Sequence, residues 1–407
     1  MRTKYGHLTY CSNIHPGESW SEHFLQLKEN LPLVRKNLSP NAPMGIGLRL
    51  GNEASLELIK PSNIYEFQTW LKNEGFYVFL INGFPYGNFH KTTVKENVYK
   101  PDWTTNERLD YTLRLFSILS QLLPKELEGG VSTPPISYQF FDITDFERKQ
   151  RVRASTQNII KILHHLIQVQ MDTGQVLHLD MEPEPDGILG NVELWIQWYL
   201  DVLLPTALPE IQSKWGFTKE ATEGKVKNHI RICLDVCHSA VSFEKNKTIV
   251  WLLKENLIQI GRIQISSALK AKFSKDPKPT LDLLSSFDEP TYLHQVIIQS
   301  EDGQLVSFSD LPYALLRGAR PFEEWRIHFH VPVFLDSFGM LSSTQSELIE
   351  ILNLQKDFFL TNSLEVETYT WGVLPKELQT PIVTSIIREL QWVKSILESE
   401  TNLKVVE

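Results

Sequence analysis

Short apolar runs alternate along this chain with longer stretches whose apolar residues recur at helical spacing. A strand buried on both faces and a helix buried along one stripe satisfy each other when laid down in turn. The alternation therefore predicts βαβ units around a parallel sheet. Strands are expected near 8–13, 45–50, 76–82, 130–133, 175–182, 229–235 and 258–266, with a last one at 364–370. Helices are expected near 63–73, 104–123, 146–171, 192–204 and 247–255. The first helix places Trp20, Phe24, Leu27, Leu31 and Val34 on one face. Capping boxes are read at Ser19…Glu22, Thr104…Glu107 and Thr344…Glu347. Pro381 after Thr380 opens a final helix over about 381–398, and residues after Ser399 read as a frayed tail.

The pattern breaks between about 267 and 325, where Pro, Asp and Ser cluster. Within this stretch, 293–308 around Glu301-Asp302-Gly303 reads as a hairpin. Residues 325–334 form another β-like run. Either this run or 364–370 supplies the eighth strand, and the latter follows a proper helix. Eight strand–helix units close into a (β/α)8 TIM barrel, one domain over 1–407 with an insertion after strand seven. The rival, an open doubly wound sheet, wants a Gly-rich phosphate turn after the first strand, and the sequence has none.

Composition narrows the function classes. With 407 residues, 42% of them hydrophobic, a large core is possible. A net charge of −9 argues against tracking phosphates, so no nucleic-acid partner is expected. No run of eighteen apolar residues suggests a transmembrane segment, and no signal peptide is read at the start. Three cysteines, Cys11, Cys233 and Cys237, make no disulfide framework, so a reducing, cytoplasmic compartment is expected.

Catalytic groups of such barrels sit where strands end. Strand five alternates Val176, His178, Asp180 and Glu182 against Leu177, Leu179 and Met181, which puts the polar set inside and Glu182 at the mouth. Strand six points Arg231, Cys233 and Asp235 inward, with His238 just beyond. Strand seven offers Arg262, Gln264 and Ser266, and the last strand Glu365 and Glu367. Carboxylates at a barrel mouth are costly unless paired or metal-bound. Glu182, Asp235, Gln264 and Glu367 therefore stand as candidate ligands of Mn²⁺, Mg²⁺, Co²⁺ or Zn²⁺. The competing reading pairs these acids with Arg231, Arg262 or Arg326. His328 and His330 share one face of an extended run, as ligands, as substrate contacts or as a satisfied pair. His15 follows strand one at the same end. The long loop from Phe84 through Asn88, His90 and Lys91 to Trp103 suits an aromatic lid or a packed surface loop.

These strand ends resemble the xylose isomerase-like barrel superfamily of sugar isomerases and epimerases, inosose dehydratases and endonuclease IV. More closely, the chain resembles the metabolite traffic protein EboE family. The matching stretches are LTYCSNIHPGESW, GFYVFLINGFPYG, MEPEP, CLDVCHSAV, IQISSAL, FDEPTYLHQV, WRIHFHVPVF and LEVETYTWGVLP, which together span nearly the whole chain. The resemblance implies a gene-cluster role in moving metabolites and association with other proteins of that cluster. It carries the superfamily's metal ligands onto Glu182, Asp235 and Glu367, with His238 as companion. Gln264 departs from the histidine common among the isomerases. The implied chemistry is isomerisation or epimerisation of a polyhydroxy or carbonyl metabolite. Glu182 and Glu367 would move the proton, His238 and Lys270 would contact substrate oxygens, and His328, His330 and His15 would complete the pocket wall. The alternatives are an endonuclease IV-like hydrolase, with His15, His90, His328 and His330 as ligands, and a non-catalytic protein that hands on a metabolite.

Overall fold

The computed structural model describes all residues except 88, 90–92, 142–143, 377–378 and 400–407. The expectations for Asn88, His90 and Lys91 and for the tail beyond Ser399 fall on residues outside those described. Eight parallel strands form the main sheet: β1 (Gly6–Tyr10), β2 (Met44–Arg49), β3 (Phe76–Asn82), β4 (Gly129–Thr133), β5 (Leu177–Met181), β6 (Ile230–Asp235), β7 (Ile260–Ile265) and, after a second sheet, β14 (Ser363–Val366). Neighbours in sequence are neighbours in the sheet, and β14 lies between β7 and β1. The remaining seam, β1 to β2, closes by a parallel bridge between Cys11 and Gly47. There the Thr9 hydroxyl donates to the Gly45 carbonyl at 2.8 Å and accepts the Gly47 N–H at 3.2 Å. The architecture is an α/β TIM barrel, and the 364 run is its eighth strand.

The strands read as they do because both faces are buried. Ile232, Leu234, Ile263 and Ile265 are at most 1% exposed against the surrounding helices. Inside, charged side chains replace the usual branched apolar layers. Arg262 donates to Asp180 at 3.0 Å and to Glu365 at 2.9 Å. His178 Nδ1 lies 2.5 Å from the other oxygen of Asp180. Glycines make room for this layer: a Cβ at Gly261 would fall 1.8 Å from Asp180 Oδ1, and one at Gly47 2.0 Å from Glu365. Burial alone would raise the Asp180 pKa, but the charges of His178 and Arg262 override it and hold the carboxyl below its ordinary value.

Between β7 and the helix Gln345–Phe358 the chain builds a six-stranded antiparallel sheet: β8 (Ser267–Lys272), β9 (Val296–Gln299), β10 (Leu305–Phe308), β11 (Glu324–Val331), β12 (Ser337–Phe338) and β13 (Leu341–Ser343). The expected hairpin is present as β9 and β10. The run expected at 325–334 forms β11, which pairs with both β8 and β9 and so joins this sheet. Two capping boxes also differ. The helix Asn106–Leu122 is capped by Thr105, which accepts from Arg108, while Thr104 bonds Asp102. Thr344 accepts the N–H of Ala268 at 2.9 Å and spends its oxygen on β8. Pro381 is the cap of the last helix, Ile382–Glu398, not its first residue.

Candidate metal centre

At the C-terminal mouth, one carboxylate oxygen each from Glu182, Asp235 and Glu367 lies within 4.8 Å of the others. All three side chains are buried. Glu182 follows β5 directly, and its N–H donates to the Thr133 carbonyl on β4 at 3.0 Å. Asp235 ends β6 and caps the short helix Val236–Val241: Oδ1 accepts the His238 N–H at 3.0 Å and the Ser266 hydroxyl at 2.7 Å. Oδ2 has no protein partner among the described residues. Glu367 follows β14, and its Oε1 accepts from Asn13 at 2.7 Å and Asn82 at 3.0 Å.

The arginines that would neutralise these acids are committed elsewhere. Arg231 pairs with Glu128 at 2.8 Å, Arg262 with Asp180 and Glu365, and Arg326 with Glu324 at 2.8 Å. Lys95 lines the cavity above but pairs with Asp310 at 2.6 Å. Burial first, then the charges of Glu367 and Asp235, pushes Glu182 well above the carboxylate range. Burial and Asp235 do the same to Glu367. Three crowded acids, one with an unused oxygen, fit a hard divalent cation better than they fit one another.

Imidazoles adjoin the acids. His238, on the helix after β6, stands beside His328 and His330 of β11, and further groups within 4.8 Å are Asp235–His238–His330 and Glu184–His238–His328. Burial, then neighbouring imidazoles, lowers His328 well below its usual value; burial likewise takes His330 to about 4. Burial raises Glu184 to about 7.

A cavity of about 60 Å³ lies over this cluster, lined by Glu182, Glu184, His238, His328, His330 and Glu367. Its roof is aromatic. Phe89, Tyr292 and Tyr369 pack ring against ring at 5.0 to 5.2 Å between centroids. The loop after β3 is tied down where Val94 N–H donates to the Thr291 carbonyl at 2.7 Å.

Other expected residues are placed differently. Gln264 faces the barrel interior in register with Asp235 and Glu365, and its Oε1 accepts the Cys233 thiol at 2.9 Å. The oxygen read as a metal ligand is thus engaged below the mouth. Lys270 lies on β8 opposite Arg326, and His15 is buried on the Tyr10 hydroxyl at 2.8 Å; neither is among the described residues lining the cavity. His90 lies outside the described residues. Glu184, Asn13 and Asn82 were not assigned from sequence. Asn82 ends β3 and Asn13 lies in the turn just after β1, and that position at the mouth is the signal that would have found them.

No family model matches the chain, and no curated protein matches it. Among solved structures it is similar to a zinc-bound IOLI protein (TM-score 0.49, 12% identity, covering 96% of this chain and 98% of that one). It is also similar to a magnesium-bound xylose isomerase-like TIM barrel protein from Mycobacterium smegmatis (0.48, 11%, 92% and 88%) and to a D-tagatose 3-epimerase-like protein (0.44, 12%, 96% and 97%).

Proposed function

We propose that the chain is a metal-dependent enzyme whose Glu182, Asp235 and Glu367 hold a divalent cation, and that it acts as an isomerase or epimerase on a small polyhydroxy or carbonyl metabolite. The observation that carries this reading is the convergence of three buried carboxylates while every neighbouring arginine is paired elsewhere. When bound, the cation would polarise substrate oxygens and favour removal of an adjacent C–H proton. Glu182 and Glu367 come from different strands and would remove and return that proton. Asn13, in the turn after β1, and Asn82, at the end of β3, fix Glu367, so its acceptor geometry is set before substrate arrives. Gln264 stays in this reading as a support beneath the ligands. The segment 267–325 is read as an insertion into one domain, with the run that follows it joining the same sheet.

The finer role we attach is EboE-like: handling of a metabolite in the cytoplasm, with other products of the same gene cluster as partners. The quoted sequence stretches support it. The aromatic roof favours a second reading, a non-catalytic carrier of an apolar metabolite. Incubation of Mn²⁺-loaded protein with a panel of aldoses, ketoses and keto acids in D₂O, followed by proton NMR, separates the two. The enzyme reading expects deuterium exchange next to the carbonyl, lost in Glu182→Gln and in Glu367→Gln. Exchange that survives both substitutions contradicts it, and tight metabolite binding without any exchange favours the carrier.

A further inference from the structure

The other end of the barrel, where the strands begin, is hollow. A cavity of about 340 Å³ lies there, against about 60 Å³ at the mouth. Small-molecule sites run from about 300 to 1,000 Å³, so this end has room for a ligand without any movement. The floor of such a barrel is ordinarily packed with branched apolar side chains. Here His178 of β5, Arg231 of β6, Gly261 of β7 and Ser363 of β14 line it instead. A second cavity of about 350 Å³ adjoins it and shares Glu128, Asn362 and Ser363. His178 and Arg231 are buried, yet each keeps a polar atom for a ligand. Asp180 takes one bond from Arg262 and one from His178 Nδ1, so its carboxylate accepts the Nδ1 proton. Burial lowers the His178 pKa in spite of that carboxylate. The ring is then neutral at neutral pH, and Nε2 is a lone pair. Arg231 spends Nε on the Asn228 carbonyl at 2.9 Å and Nη1 on Glu128 at 2.8 Å, and its Nη2 makes no hydrogen bond among the described residues. Lys254 stands at the rim, 3.7 Å over the Phe358 ring, with no carboxylate partner among the described residues.

We propose that this floor is a second ligand site, built for a small aromatic hydroxycarboxylate. The carboxylate meets Arg231 Nη2 and Lys254, the hydroxyl donates to His178 Nε2, and the ring lies against Leu253, Ile258 and Phe358. Charge sets the ligand to a monoanion: across both cavities Arg2, Arg231 and Lys254 face Glu126 and Glu128, an excess of one positive charge. The entrance sets the body, because Phe358 and Phe359 line it and are each 50% exposed, and aromatic rings stack on such edges and faces. None of the described residues lining this cavity lines the mouth, so the site stands or falls separately from the proposed activity.

Isothermal titration of the full chain with 3-hydroxybenzoate tests it. Wild type should bind with Kd below about 1 mM. Benzoate, which lacks the hydroxyl, and 3-hydroxybenzyl alcohol, which lacks the charge, should each bind about tenfold more weakly. Arg231→Gln and the rim change Lys254→Gln should each weaken 3-hydroxybenzoate about tenfold, whereas Glu182→Gln/Glu367→Gln should bind it as wild type does. Should Arg231→Gln fail to fold by circular dichroism, Lys254→Gln and the two comparison compounds decide. No binding of 3-hydroxybenzoate by wild type overturns the site. Equal binding of benzoate removes the His178 contact and overturns it too. Affinity unchanged in every folded variant of Arg231 and Lys254 places the anion elsewhere, and binding lost with Glu182 and Glu367 places it at the mouth; either result overturns the site.

Discussion

Asp180 and Asp235 are both buried aspartates of barrel strands, yet their surroundings differ. Asp180 has each oxygen matched, one to His178 and one to Arg262. Asp235 has one oxygen matched and one bare. The first pattern is structural, and the second is the one the proposed metal site calls for. Gly261→Ala tests the structural one. Its Cβ would fall 1.8 Å from Oδ1 of Asp180, whose carboxylate is held by His178 on that oxygen and by Arg262 on the other. We expect a loss of about 3 kcal/mol in denaturant unfolding; an unchanged midpoint would contradict the tight interior. At this scale two-residue alternation and strand ends put Glu182, Asp235 and Glu367 at the mouth, where they lie together; their role as ligands is the proposal. Glu184 escaped it: Pro183 breaks the alternation after β5, so its direction depends on the loop. Lys270 was misjudged because Ser266 and Ser267 turn the chain out of the barrel and into β8, a change of sheet that no periodicity marks.

At the scale of elements, the second sheet brings its histidines to the mouth through an irregularity. The β11–β8 register shifts between Ile327 and His330, and the His328 N–H goes to the Gln295 carbonyl at 2.8 Å. Such a bulge re-aims side chains beside a site. The hairpin and the β-like run were legible from turn residues and alternation; the pairing of the run with β8 and with β9 of the hairpin was not, because it joins segments distant in sequence. The last helix docks through Glu389, whose Oε1 accepts the Thr368 hydroxyl at 2.7 Å and the Val333 N–H at 3.2 Å. Burial raises this carboxyl to about 7. Glu244, which accepts the Val192 N–H at 3.1 Å, is likewise raised to about 7 by burial. Unfolded, both release their protons near pH 4.5, so between there and about 7 the folded chain binds more protons than the unfolded one. Stability from these groups is full at the acid end and falls as pH rises through that window. For Glu389 the fall is roughly 3 kcal/mol at most. Unfolding of metal-free protein at pH 5 and 7.5 checks this: Glu389→Gln should show a smaller fall than wild type. A wild-type fall no larger than that of the variant would contradict the assignment.

Across the whole molecule, a closed barrel fixes the strand ends and three segments, at Phe89, Tyr292 and Tyr369, roof them. A cavity of about 60 Å³ holds a few waters or ions. On the proposed activity, a sugar would have to pass the clasp of Phe89, Tyr292 and Tyr369. Tyr292→Ala removes the ring that touches the other two. Mn²⁺ should then be stripped by EDTA about tenfold faster, equivalent to about 1.4 kcal/mol off the opening barrier. An unchanged stripping rate would mean that the roof does not gate the site. The closed barrel was legible because each strand–helix unit repeats one hydrophobic logic. The roof was only half legible, since the loop after β3 is long in sequence but its partners at Tyr292 and Tyr369 lie in other segments.

On the proposed reading, Glu182, Asp235 and Glu367 hold a metal at the mouth. Elemental mass spectrometry on wild type beside Glu182→Gln/Glu367→Gln tests it most directly, after loading both with Mn²⁺ and removing excess. The account predicts near-stoichiometric manganese in wild type and its loss in the double variant. No manganese in either protein, even after soaking, would contradict it.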